Sequence, residues 1–263
     1  MKKSFFQRIK NIENSSNSFL NKEIPIICKL KLHNFQKLRK ITGEPTNEKL
    51  NNIMINTALN ITRELNNVLL CYTQGSEISI LLSDFKNKKS NFFDYNVQRI
   101  CSFIASKSSI LFHMCCSFEE VDIDDCYEAF FFTCNCFNIS FEEVTNYFIL
   151  QQRNSIHDST HYWHDYYLPS EAKQKHSNEK ISFDTSLLPS YDKECNDLHF
   201  KFGTLITKEK VKINIKNLPR EALEFYEKYD ILIEENNKKE QWFPRILDIK
   251  IEENKNIIEN KLK

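Results

Sequence analysis

The chain has 263 residues, with 36 Lys+Arg balanced by 36 Asp+Glu, 41% hydrophobic residues and 21 Phe. That length and composition exclude a disordered polymer and allow a sizeable buried core. The net charge of +0 excludes a globally basic nucleic-acid binder and leaves room only for a local basic groove.

The first segment, MKKSFFQRIKNIENSS, is charged, lacks the apolar centre of a signal peptide and predicts a short amphipathic helix near residues 4 to 14. No stretch reads as the ~20 apolar residues of a membrane span, so the expectation is a soluble, cytoplasmic protein without membrane contact, in the host cytoplasm if the chain is viral. IPIICKLKL (24–32) predicts the first strand, apolar at first and then alternating. After Pro45 and Thr46, apolar residues at Leu50, Ile53, Met54, Ala58, Ile61 and Leu65 mark one face of a helix. VLLCYT (68–73) and EISILL (77–82) predict a hairpin turning at Gln74, Gly75 and Ser76. A second long helix follows from Phe93 to Cys115, and AFFFTCNCF (129–137) predicts a fourth strand. The order strand, helix, strand, strand, helix, strand is that of the split βαβ, ferredoxin-like arrangement used by polymerase palms. The expected class is therefore α+β: an antiparallel sheet with two long helices on one face and added helices. In that topology the end of the first strand meets the hairpin tip, so residues near 31 and near 76 should be neighbours. Further helices are expected from about 141 to 167, stopped by Pro169, and a terminal hairpin over 199–218.

Nine cysteines, at 28, 71, 101, 115, 116, 126, 134, 136 and 195, fall mostly on apolar faces. No CxxC occurs, and Cys115/Cys116 and Cys134/Cys136 lack zinc-ligand spacing, so they read as buried, reduced thiols. The three glycines stand far apart, no GxxxxGK[ST] loop exists, and no GxSxG elbow supports hydrolase chemistry.

Taken in order, IICKLKLHNF, YTQGSEISI, FFDYNVQRICSFIAS, CFNISFEEVTNYFILQQRNSIHDS and LLPSYDKECNDLHFKFGTLI resemble segments of the tRNA-histidine guanylyltransferase family. The resemblance runs from about residue 24 to 207. It implies a single domain over 1–263, with a palm-like core at about 24–138, a helical and hairpin elaboration at about 139–218 and a C-terminal extension at 219–263. The implied activity is addition of a nucleotide to the 5′ end of tRNA from a nucleoside triphosphate, with Mg²⁺ as cofactor, and a homo-oligomer is compatible with it.

The departures from the family pattern fall on its chemistry. The first strand of the family carries Asp-Gly and its hairpin carries Ser-Asp-Glu, with the two Asp residues holding paired Mg²⁺. Here those Asp positions are Lys31 and Ser76. Mg²⁺ needs hard oxygen ligands. An ammonium about 4 Å from a cation is opposed by roughly 4 kcal/mol per unit charge at an effective dielectric of about 20, and a divalent ion by about twice that. Family glycines correspond to Leu32 and Asn34, and a family basic residue to Glu44, which would repel phosphate. Where the bacterial branch has Asp and Arg on the fourth strand stand Thr133 and Asn135, and on the following helix Asn154, His157 and Asp158 replace Asp, Arg and Asn. Arg99 keeps a cationic position at the second long helix and is the nucleotide-binding residue the resemblance carries over. These losses imply a catalytically degenerate member. The alternative is a non-catalytic tRNA- or nucleotide-binding protein acting as decoy, regulator or interaction module.

Two readings of single residues stay open on the sequence. Glu77 is either a remnant metal ligand or one half of an ion pair with Lys31 across adjacent strands. His157, His161 and His164 share a helical face, where a metal clip, contact with RNA and plain solvation all fit the spacing.

Overall fold

In this computed structural model the described residues are 4–15, 17–42, 48–84, 92–123, 130–167, 202–212 and 238–262, the side chains of 160–167, 209–212 and 238–241 excepted. The elements in chain order are α1 (Phe5–Ser15), β1 (Ile26–Leu32), α2 (Phe35–Thr42), α3 (Glu48–Glu64), β2 (Val68–Gln74), β3 (Glu77–Leu82), α4 (Val97–Phe118), β4 (Phe132–Asn138), α5 (Phe141–Tyr167), β5 (Thr204–Lys212), β6 (Lys238–Arg245) and α6 (Glu252–Leu262). The six strands form one sheet in the order β4-β1-β3-β2-β5-β6, antiparallel throughout. Its first four strands carry the expected ferredoxin-like order, with β1 in the interior between β3 and β4.

Strand alternation assigns the two faces of that sheet. Cys28, Leu30 and Leu32 of β1 join Ile53, Ala58 and Ile61 of α3 and Ile100, Ile104 and Phe112 of α4 in the larger core. Ile27 points the other way, into a second core with Leu70, Tyr72 and Leu81, covered by Val144 and Phe148 of α5 and Ile258 of α6. Lys29 and Lys31 follow Ile27 by twos and therefore lie on the α5 face. The helix-period stripes explain why α3 and α4 pack together: buried positions recur at Leu50, Ile53, Met54, Thr57, Ala58 and Ile61 and at Ile100, Ile104, Ser108, Leu111 and Cys115. By length and composition α4 could cross a membrane, so the expectation that no stretch approaches such a span does not hold; here its buried residues are packed in the core. The N-terminal helix α1 buries none of its side chains.

Two local expectations are corrected. TLITKEKVK is one continuous strand, β5, rather than the two arms of a hairpin at 199–218, and its hairpin-like partner is the distant β6. Lys208, Glu209 and Lys210 sit mid-strand opposite Trp242, Gln241 and Glu240. The last forty or so residues, which carried no clear sequence signal, contribute β6 and α6.

The C-terminal segments are fastened to α5 at Gln152, which is fully buried. Its amide nitrogen donates to the carbonyls of Phe202 (3.0 Å) and Leu247 (2.7 Å), and its oxygen accepts from the Ile249 N–H (2.8 Å). Gly203 beside it has φ +69°, and a Cβ there would run into the Tyr72 ring and hydroxyl, the same hydroxyl that donates to the Phe202 carbonyl at 2.6 Å. Glycine is required at that position for both reasons.

Candidate functional site

The C-terminal end of β1, the β2–β3 turn, the start of α2 and the middle of α5 enclose a cleft of about 610 Å³. Its formation follows from the register: Lys31 pairs with Glu77 and the Leu32 N–H donates to the Ser76 carbonyl at 2.8 Å, so the strand end and the turn are locked edge to edge. Gly75, with φ +45°, makes the two-residue turn that brings Ser76 there. On the far wall, Ser155, Asp158 and Ser159 recur at helical spacing along α5. Lys31, Ser76 and Glu77, which the sequence placed near one another, all line this cleft.

The ion pair at the site is not the one the pairing suggests. Lys31 lies directly opposite Glu77, yet Lys29, two residues back and on the same face, holds the Glu77 carboxylate at 2.8 Å and also donates to the Gln151 oxygen at 3.3 Å. Diagonal neighbours on a sheet are within reach of long side chains. Lys29 and Glu77 are both largely buried, with side-chain exposures of 29% and 22%, so the pair sits where screening is weak. Lys31, at the strand end, is exposed to the cleft, and among the described residues its ammonium has no ion-pair partner.

The rest of the lining mixes polar side chains with the apolar Leu32 and Phe35. Lys37 adds a second ammonium and His33 an imidazole. The His33 ring is stacked on Phe131 at 4.6 Å and 10°, and its Nε2 is 3.2 Å from the Thr133 hydroxyl, giving a flat, oriented surface at the cleft mouth. Gln74 is 6% exposed, and its buried Oε1 has no hydrogen-bond partner among the described residues. Asp158 is the second carboxylate of the lining and lies 3.4 Å from the neighbouring His157 ring nitrogen, both side chains exposed. No grouping of three ligating side chains among the described residues includes a cleft residue.

Other expected positions lie elsewhere. Arg99, in the first turn of α4, is 65% exposed, is 3.4 Å from Asp94 and lines a shallower hollow with Phe92, Phe93 and Phe103, apart from the cleft. His157 is on the solvent side of α5 next to Asp158, whereas the side chains of His161 and His164 lie outside the described residues. Glu44 lies outside them as well. Lys29, His33, Lys37 and Gln74 are positions at or beside the cleft that sequence reasoning did not single out. The period-2 repeat of Lys29 and Lys31 was the available signal for the first of these.

The backbone keeps shapes that glycine would hold. Asn34, where the family string has glycine, has φ +62°, and Asp94 and Tyr95, where it has Gly-Gly, have φ +52° and +57°. Left-handed backbone costs an L-residue roughly 1–2 kcal/mol.

Known proteins carry the same architecture. A bacterial tRNA(His) guanylyltransferase (Thg1)-like protein solved in complex with ATP superposes with a TM-score of 0.69 at 19% identity, over 98% of this chain and 99% of that one. A bacterial Thg1-like protein solved with GTP gives 0.69 at 20% identity over the same shares of the two chains. The tRNA(His) guanylyltransferase of Saccharomyces cerevisiae gives 0.61 at 15% identity, over 82% of this chain and all of that one. No curated protein matches the sequence. The sequence model of tRNAHis guanylyltransferase matches residues 6–140, which spans the palm-like sheet up to the end of β4 and more than half of the chain. This protein belongs to the tRNAHis guanylyltransferase (Thg1) family.

Proposed function

We propose that this chain is a catalytically degenerate member of its family, which binds a nucleoside triphosphate or a tRNA 5′ end in the β1–β3 cleft without metal-dependent nucleotide transfer. The observation that carries this reading is Lys31, an ammonium on the cleft wall directly opposite Glu77 with no ion-pair partner among the described residues, while the Glu77 carboxylate is already committed to Lys29. Two Mg²⁺ ions would need several hard oxygen donors and a net negative pocket. Glu77 is neutralised and Asp158 stands alone on the other wall, so the residues present do not fit that pair of ions.

The same residues suit a polyanion. Lys31 and Lys37 supply point charges for phosphate oxygens, and the Ser155 and Ser159 hydroxyls line the opposite side. The Gln74 oxygen is an acceptor for a ligand N–H or O–H, which would relieve its buried, unpaired state. Two solved structures of the same fold hold ATP and GTP, in keeping with a nucleotide as occupant.

The test is a titration with GTP and with tRNA, with and without Mg²⁺, beside an assay for transfer of labelled nucleotide to tRNA. The expected result is salt-sensitive binding that persists in EDTA, with no transfer. Mg²⁺-dependent transfer by the natural protein would overturn the degenerate reading, and absence of binding to either ligand would leave only an interaction module.

A further inference from the structure

On the opposite face of β1, away from the cleft, four cysteines converge. Cys28 of β1 and Cys136 of β4 are register partners with their sulfurs 3.2 Å apart, and Cys134, two residues along the same face, brings its sulfur to 3.6 Å from that of Cys136. Cys101, in the second turn of α4, closes the group: the sulfurs of Cys101, Cys134 and Cys136 all lie within 4.8 Å of one another. With a zinc–sulfur bond of about 2.3 Å, the edge of a tetrahedral thiolate site is about 3.8 Å. The Cys28–Cys136 and Cys134–Cys136 separations, 3.2 and 3.6 Å, fall somewhat short of that value, and the sulfurs of Cys101, Cys134 and Cys136 lie close enough together to share one ion.

We propose that Cys101, Cys134 and Cys136 bind a thiophilic d¹⁰ cation, with Zn²⁺ as the tetrahedral case and Cys28, beside Cys136, as the neighbouring fourth sulfur. All four donors are sulfur and no carboxylate takes part, which favours a soft or borderline ion over Mg²⁺ or Ca²⁺. Cys28 and Cys136 are buried, whereas Cys101 and Cys134 are partly exposed, so an ion can enter from one side. Binding is ligand exchange without oxidation: each bound thiol releases its proton to solvent and donates a sulfur lone pair to the metal. The site joins β4, an edge strand, to β1 and α4. Its role is structural, and it is separate from any nucleotide chemistry.

The experiment uses the full chain, purified under reducing conditions with Zn²⁺ present, then gel-filtered and analysed for metal. The expected content is about one zinc per chain, removable by a strong chelator with a fall in melting temperature. Replacement by Co²⁺ should give the intense visible bands of a tetrahedral ion and a thiolate-to-metal charge-transfer band. Cys134→Ser and Cys136→Ser should each lose the metal, and Cys71→Ser, a buried cysteine outside the group, should keep it. Should the serine variants not fold, alkylation of the natural protein decides: Cys101 and Cys134 should be protected when zinc is bound and labelled after chelation. Zinc-free protein whose thiols react alike with and without zinc would overturn the proposal. So would a Cys28–Cys136 disulfide, seen as a mass lower by two hydrogens, or metal retained in the serine variants.

Discussion

The two faces of β1 separate two kinds of chemistry. One side carries Cys28, Leu30 and Leu32, all almost wholly buried against α3 and α4, and ends in the sulfur cluster with β4. The other carries Lys29 and Lys31, which meet Glu77, Gln151 and the open cleft. Adjacent residues therefore serve opposite ends: the buried side determines whether the sheet assembles, and the charged side determines what the sheet end can hold. Sulfur donors have gathered in the core, whereas carboxylates are few in the cleft.

Substitutions that strike one face and spare the other make this division testable. The largest effect is expected from Leu30→Ala, which empties a fully buried site and should cost about 3 kcal/mol in urea unfolding. If its folded fraction bound GTP more weakly than the natural protein, the two faces would be coupled and the division would fail. On the charged face, Lys31→Asp with Ser76→Asp removes a cation and adds two carboxylates, so Mg²⁺ affinity measured by calorimetry should rise at least about a hundredfold. An unchanged affinity would mean that the lost carboxylates are not what excludes the ion. Lys29→Met leaves Glu77 without its partner and should destabilise by about 1–2 kcal/mol, as read from denaturant midpoints. Lys31→Ala should leave stability unchanged and weaken GTP about tenfold, the worth of one charge-assisted contact. The smallest change is expected of Arg99→Ala, whose exposed pair with Asp94 at 3.4 Å is worth less than about 0.5 kcal/mol. Because Arg99 lies outside the cleft, GTP affinity should stay within experimental error; a marked loss would move the nucleotide site to the α4 hollow.

Much of the sheet was legible because its signals are local. Period-2 alternation marked β1, β3 and β4, period-3.6 stripes marked α3 and α4, and topology alone brought residue 31 beside residue 76. Features decided across long sequence separations were not legible. Which lysine holds Glu77 depends on a diagonal reach and on Gln151 from α5, neither of which alternation specifies. β5 was divided in two because its Lys and Glu residues look like a turn until β6 supplies a partner. The sulfur cluster draws on three separate elements, so spacing along the chain does not announce it: β1 and α4 bring Cys28 and Cys101 to Cys134 and Cys136 on β4.

The buried amide of Gln152 has a wider consequence for how the molecule opens. Three main-chain groups from two distant stretches close on one side chain, and Leu205, Ile249 and Ile258 pack into the same small core beneath it. Loosening either stretch strips partners from the other, so the strands and helix that follow α5 are expected to exchange as one cooperative unit.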